Sequence, residues 1–399
     1  EMTDEELDGV FTVWSRPEVT ELINQIGDIE QPIPLGIRML KDVPEFRALA
    51  TRCLAGLKDV YCTTSPVVIF PSAGHGAWES ALVNTVAPGE RVLMAETGAF
   101  SHMWEAMAES YGIAVDSLPG DWLHGADPDA IGTALADDRA HAIKAVAIVH
   151  NETSTGITSR LAEIRQAVDA AQHPALLLAD TISSAASIDF RMDDWDVDVT
   201  IGGSQKGLML PPGLSFNAIG PKAWHASQVV ERPRNYFDWR QVLPDGTNPA
   251  FPCTPAMSLM FGLTEALDML AEEGLEACFA RHARLASAVR AAVTGWGYTL
   301  VPQDAREHSN SVTAFFLPEN VDADAFRKHC LDSYNLVLAG GLMKLAGRVI
   351  RIGHLGDLNE AMILGTLATV ELALGTAGVP HESGGVAAAI DFLAGKSDG

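Results

Sequence analysis

The sequence predicts an α/β protein: a mostly parallel sheet covered by helices, followed by a smaller α+β unit at the carboxyl end. Two observations predict it. Short apolar runs (Val67–Phe70, Arg91–Met94, Ala142–Val149, Pro174–Ala179, Val197–Ile201) alternate with helical stretches over roughly residues 65 to 220, which is the pattern of parallel strands joined by crossover helices. Beyond Pro221 the order changes to two long helices and then a few strands with helices between them.

Taken in order, residues 1 to about 35 are acidic; Pro17–Ile26 reads as a short helix with proline in its first turn, and Pro32 and Pro34 prevent its continuation. Phe46, Leu49, Ala50, Cys53, Leu54 and Leu57 recur at helical spacing, predicting an amphipathic helix over Val43–Lys58. The strand Val67–Phe70 opens through Pro71-Ser-Ala-Gly-His-Gly into a helix reaching Val83, and a helix over Ser159–Gln172 precedes the Pro174–Ala179 run. Arg232–Thr254 is too polar for a sheet strand, and a loop of that length usually carries function or reaches a partner. Ala256–Glu273 and Leu275–Trp296 are the two long helices. Strands at Ser311–Leu317, near Val337 and at Arg348–Gly353, with helices Asp322–Tyr334 and Asn359–Leu374, make the last unit. The expected divisions are 1–40, 41–270 and 271–399, with the tail after Gly375 loosely ordered at its end.

The 399 residues carry 52 acids against 27 bases, a formal charge of −25. Such a field repels nucleic acid and anionic lipid, so neither is an expected partner, and an anionic ligand needs a local positive site. No apolar run approaches the ~18 residues of a membrane span, and no signal peptide is visible. Five widely spaced cysteines without a Cys-x-x-Cys pair argue against a disulfide framework or a metal centre and suggest a reducing cytoplasm.

Lys206 lies in Gly203-Ser-Gln-Lys-Gly207, just past an apolar run; Asp180 ends another run 26 positions earlier. In parallel sheets ligands gather outside the carboxyl ends of strands, where a lysine and a carboxylate from neighbouring strands face one pocket. The pair suits pyridoxal 5′-phosphate: the aspartate partners a protonated pyridine nitrogen, and the lysine, kept from bulk water, bonds the aldehyde. The alternatives are a solvated Lys206 and an Asp180 that merely caps a helix starting at Thr181. Ala73, Gly74 and His75 at a strand-to-helix turn read as a phosphate cup or as an ordinary turn. Phe100 is either a ring-stacking aromatic or a core residue. Thr153 in His150-Asn-Glu-Thr-Ser-Thr155 offers a hydroxyl to the cofactor's phenolic oxygen, while His150 reads equally as a satisfied buried histidine. Arg351 alternates with isoleucines on a strand; its partner is a substrate carboxylate or one of the many acids.

The chain resembles the class V, fold-type I pyridoxal-phosphate aminotransferases, in the branch of the serine–, alanine– and aspartate–glyoxylate enzymes. The resemblance spans about residues 60–375 and is carried by Asp189–Trp195, Gly203–Gly207, Leu210–Leu214 and Ile350–Gly356. It implies a seven-stranded sheet, Lys206 and Asp180 as catalytic residues, Arg351 as carboxylate clamp, and cofactor contacts at Ala73, Gly74, His75, Phe100, Thr153, Ile182 and Gln205. It also implies a homodimer with shared active sites, in which Thr254 reaches the neighbour's phosphate. Phe251 stands where relatives carry tyrosine, and Asp28–Gly36 stands where close relatives carry a Gly-Pro-Gly-Pro-like segment.

The expected activity is ping-pong transfer of an amino group from a small amino acid to a 2-oxo acid such as glyoxylate or pyruvate. The alternatives are a pyridoxamine–pyruvate type and a lyase or desulfurase of the same fold. The latter needs a mobile cysteine, for which Cys330, inside an amphipathic helix, is the one candidate.

Overall fold

The computed structural model describes residues 44–395. Contacts divide the chain into Glu1–Ala48 and Leu49–Gly399; of the first unit only the start of one helix is described, and the described sheets all belong to the second. The helix expected at Pro17–Ile26 and the segment Asp28–Gly36 lie outside the described residues.

Seven strands form the main sheet: β1 (Val67–Phe70), β2 (Arg91–Ala95), β3 (Ala114–Leu118), β4 (Ile143–Val149), then, after the small hairpin β5 (Asn151–Glu152) and β6 (Ile157–Thr158), β7 (Leu176–Asp180), β8 (Val199–Gly203) and β9 (Ser215–Ile219). Their spatial order is β1-β9-β8-β7-β4-β2-β3. Only β9 runs against the rest, pairing antiparallel with both β1 and β8. Every residue of β1, β7, β8 and β9 is buried, as strands of a mostly parallel sheet covered by helices on both faces should be. Trp78, Trp104 and Trp239 pack with the valines and leucines of one sheet face. Each fully buried branched side chain there stabilises the fold by roughly 1.5–3 kcal/mol.

Because β9 alone is reversed, the carboxyl ends of β1, β2, β4, β7 and β8 lie along one edge of the sheet. The strand register places Asp180 level with Val149 on β4 and Ile201 on β8. The loops leaving these ends, around residues 71–75, 96–100, 150–154, 180–183 and 204–206, therefore converge there.

The second sheet, β10 (Val312–Phe316), β11 (Ala339–Gly340) and β12 (Val349–Gly353), is antiparallel in the order β10-β12-β11. A second core gathers on it from the helices Leu275–Gly295, Ala323–Tyr334 and Glu360–Ala377, centred on Trp296 and Phe315.

Three expectations need correction. The strands β3 and β9 went unassigned. β3 is a half-exposed edge carrying Asp116 and Ser117; β9 is interior but holds the buried polar residues Ser215 and Asn217, which made it read as loop. Residues 396–399 lie outside the described residues, but the stretch Gly384–Ala389 of the tail, expected to be loosely ordered, caps and begins a helix, Gly385–Leu393. It packs so closely that a side chain on Gly385 would lie 2.3 Å from Trp296 Nε1, and Glu371 takes both that indole proton and the Val386 amide. Helix Glu360–Ala377 is also long and apolar enough, by length and composition, to cross a membrane. Ile363, Leu367, Val370, Ala373 and Leu374 on it are buried in the second core.

Candidate active site

The lysine turn is built by Ser204. Its hydroxyl donates to the Pro211 carbonyl at 2.8 Å and accepts the Leu214 amide at 3.2 Å, closing residues 204–214 on themselves. Gly207 lets the turn lie against the next loop, since a Cβ there would meet the Ala185 carbonyl oxygen at 2.1 Å. Lys206 is half-buried in this turn, and among the described residues its amine has no hydrogen bond or ion pair. Burial, seconded by the charge of Arg351, lowers its proton affinity, while Asp180 opposes them.

Asp180 is 4% exposed. Its two oxygens accept from the Trp78 indole at 2.9 Å and the Ile182 amide at 2.7 Å. The second bond caps a turn; no helix starts at Thr181. Burial raises the carboxyl to about 7 despite these donors. A cation placed against it would restore its ionisation.

A cavity of about 280 Å³ lies between these two groups. Its walls include Ala73, Gly74, His75, Phe100, Thr153, Asp180, Ile182, Gln205 and Lys206, all singled out in the sequence, together with Trp78, Asn151 and Ser183, which were not. Gly74 starts the helix Gly74–Thr85, which no side chain caps and whose first turn carries no acid. The first amides of a helix have no partner within it, so this end offers donors and a positive dipole to an anion. Gly74 is required by space: a Cβ would lie 2.4 Å from Ile182 Cδ1. Phe100, second in the helix Ala99–Ser110, stands edge-on to Trp78 with ring centroids 6.4 Å apart. Trp78 in turn stacks on Trp104. The Thr153 hydroxyl donates to Ser183 Oγ at 2.9 Å, and Ser183 donates to the Asn151 carbonyl at 2.8 Å. Gln205 Oε1 is buried without a partner among the described residues.

Arg351 leaves β12 to donate to the Gly340 carbonyl (2.7 Å) and, through Nη1, to the carbonyl of the cavity residue Thr153 (2.6 Å). It is 9% exposed, and among the described residues no carboxylate lies within ion-pair distance of it. The structural ion pair allowed by the sequence is therefore not seen. Thr254 is exposed and lies outside the cavity of its own chain. His150 is a satisfied buried histidine: its Nδ1 is 2.9 Å from Ser184 Oγ, and burial lowers it to about 3. Cys330 is fully buried in the second core, with its thiol pushed up to about 11, so it supplies no mobile thiol.

Residues 45–345 match the family model Aminotransferase class-V. The chain belongs to the class-V aminotransferases. The L-aspartate–glyoxylate aminotransferase of Paracoccus denitrificans is 44% identical over 348 residues, covering 87% of this chain and 88% of its own. The serine–glyoxylate aminotransferase of Methylorubrum extorquens is 45% identical over 356 residues, covering 88% and 89%. Among solved structures, pyridoxamine–pyruvate aminotransferase from Mesorhizobium loti superimposes with a TM-score of 0.83 at 25% identity, covering 92% of this chain and 95% of the other.

This class-V aminotransferase is accordingly a fold-type I enzyme whose cofactor is pyridoxal 5′-phosphate. The cavity fits that group on its own chemistry. Among the described residues it has an uncapped helix end for a phosphate, a buried acid without an ion-pair partner, an amine without a hydrogen bond, and an aromatic wall.

Proposed function

We propose that the enzyme moves the amino group of a small amino acid of the serine, alanine or aspartate type to glyoxylate or a similar 2-oxo acid. The observation that carries the reading is the placement of Lys206 and Asp180 on one cavity with Arg351 bonded to its rim. The names of the two relatives at 44% and 45% identity support the substrates. The pyridoxamine–pyruvate relatives are more distant, at 29% identity by sequence and 25% by structure.

In this reading Ala73, Gly74 and His75 hold the cofactor's phosphate, Asp180 its ring nitrogen, Phe100 and Ile182 its faces, and Thr153 and Gln205 its edge. Bound there, pyridoxal phosphate supplies an aldehyde that takes the amino group and a ring that withdraws electrons from the substrate's Cα. Asp180 keeps that ring charged. Arg351 presents its remaining guanidinium N–H groups to the α-carboxylate and so fixes which Cα bond faces the lysine. Lys206 Nζ would be the group that takes the Cα proton of a substrate held here and gives it back on the same face. Its lowered proton affinity leaves a neutral amine available for the first of these transfers.

The exposed Thr254 belongs with a homodimer in which that loop completes the neighbour's phosphate site. Five free cysteines belong with a reducing compartment, the cytoplasm.

The test is a panel of donors (serine, alanine, aspartate, pyridoxamine) against glyoxylate and pyruvate, with each released product identified. Amino-acid donors with glyoxylate are expected to give the highest kcat/KM; turnover of pyridoxamine alone would overturn the assignment. In the same assay Arg351→Lys, which loses the planar fork, is expected to raise KM for donor and acceptor about tenfold or more.

A further inference from the structure

Glu152 is a fully buried carboxyl that the mechanism above does not use. It sits between Asn151 and Thr153, both cavity residues. Glu152 itself is not part of the cavity wall. It meets the first turn of the helix Ala99–Ser110, which presents Phe100 to the cavity. Its Oε2 accepts the amides of Phe100 and Ser101, each at 3.1 Å. Its Oε1 accepts the Ser154 amide at 3.0 Å and the Ser154 hydroxyl at 2.6 Å. Ser154 Oγ in turn accepts the Ala99 amide at 2.9 Å. Three successive helix amides thus end, directly or through one serine, on a single carboxyl group.

Three of these four contacts are backbone amides, which can only donate, and the fourth is the Ser154 hydroxyl. Burial raises the carboxyl, but the donors and the positive helix end favour the anion. The fit is close: a Cβ on Gly98 would lie 2.4 Å from Glu152 Cγ, so only glycine lets the helix start this near. The arrangement joins two parts of the chain about fifty residues apart in sequence, the turn carrying Phe100 and the strand end carrying Asn151 and Thr153.

We propose that Glu152 is a positioning residue for the cofactor: its carboxylate locks the Phe100 helix to the Thr153 strand end, so that the wall against the ring's face and the hydroxyl at its edge are held as one unit. This rests on the reading of the cavity as the pyridoxal-phosphate site. Neutralising the group without changing its shape would turn an NH₂ towards amide donors and part the two segments.

The experiment uses the full-length protein, stripped of cofactor and titrated with pyridoxal phosphate, with visible circular dichroism of the reloaded form reporting ring orientation. Glu152→Gln is expected to weaken cofactor affinity about tenfold, the effect of roughly one lost charge-assisted hydrogen bond, and to change the ellipticity per bound cofactor. Ser154→Ala, which removes one bridge and keeps the charge, is expected to show a smaller change in the same direction, about threefold. It decides the matter if Glu152→Gln does not fold. A folded Glu152→Gln, or failing that Ser154→Ala, with lower thermal stability but wild-type affinity and dichroism overturns the proposal by reducing the group to a structural cap. Wild-type protein that takes up no pyridoxal phosphate overturns the reading of the cavity itself.

Discussion

Replacing Lys206 with alanine is expected to abolish transamination, lowering kcat by about four orders of magnitude, because it removes the one group placed to carry the Cα proton. The protein should also lose the yellow colour of the bound cofactor. The fold should survive: the amine makes no hydrogen bond or ion pair among the described residues, so no partner is left unsatisfied by its removal. Steady-state kinetics with the preferred donor, a visible spectrum and a far-ultraviolet dichroism spectrum check all three. A yellow, active Lys206→Ala protein would show that another amine does this work.

Asp180→Asn has the second largest expected effect. Removing one member of a buried charge pair costs about 3–5 kcal/mol, which corresponds to roughly 10²- to 10⁴-fold in turnover or cofactor affinity. The asparagine oxygen still accepts one of the two donors, but its NH₂ meets the other, the Trp78 indole or the Ile182 amide. The substitution also changes how the cofactor-free protein responds to pH. With its carboxyl raised from 3.8 to about 7, folded wild type holds a proton that the unfolded chain has released between those values. Its stability therefore falls as pH rises through that window, by up to about 1.4 kcal/mol per unit, and levels off above it. Asp180→Asn should lack that slope. Urea unfolding of both cofactor-free forms on either side of the window measures the difference; equal slopes would mean that Asp180 is already ionised in the folded protein.

The parts of the site that lie at strand ends were legible in the sequence, because a run of apolar residues followed by Asp180, or by Ser204-Gln-Lys206, marks both the strand and the edge where it stops. Once the sheet is mostly parallel, those ends must meet. Contacts made across the helix layer were not legible. Trp78 reaches Asp180 from 102 positions away, and only the seating of the helix Gly74–Thr85 on the sheet decides that its indole points there. In the sequence Trp78 is one more core aromatic, and it does pack as one, against Trp104. Ser183 and Asn151 were hidden for a different reason: short polar residues in a turn serve the backbone as often as a ligand, and only the chain of hydrogen bonds from Thr153 to Ser183 and from Ser183 to Asn151 ties them to the cavity. Strand β9 was masked by Ser215 and Asn217, buried polar residues whose composition argues for a loop. The helix Gly385–Leu393 begins with two glycines, which by local preference argue against it; its packing on Trp296 and the bond from Glu371 override that preference.

The account depends on Lys206 being the residue that bonds the cofactor's aldehyde. Treating the pyridoxal-phosphate-loaded protein with borohydride, digesting it and locating the added pyridoxyl mass by mass spectrometry tests this directly. The account predicts that mass on the peptide containing Gly203-Ser-Gln-Lys-Gly207, at Lys206; its appearance on a different lysine, or on none, would contradict it.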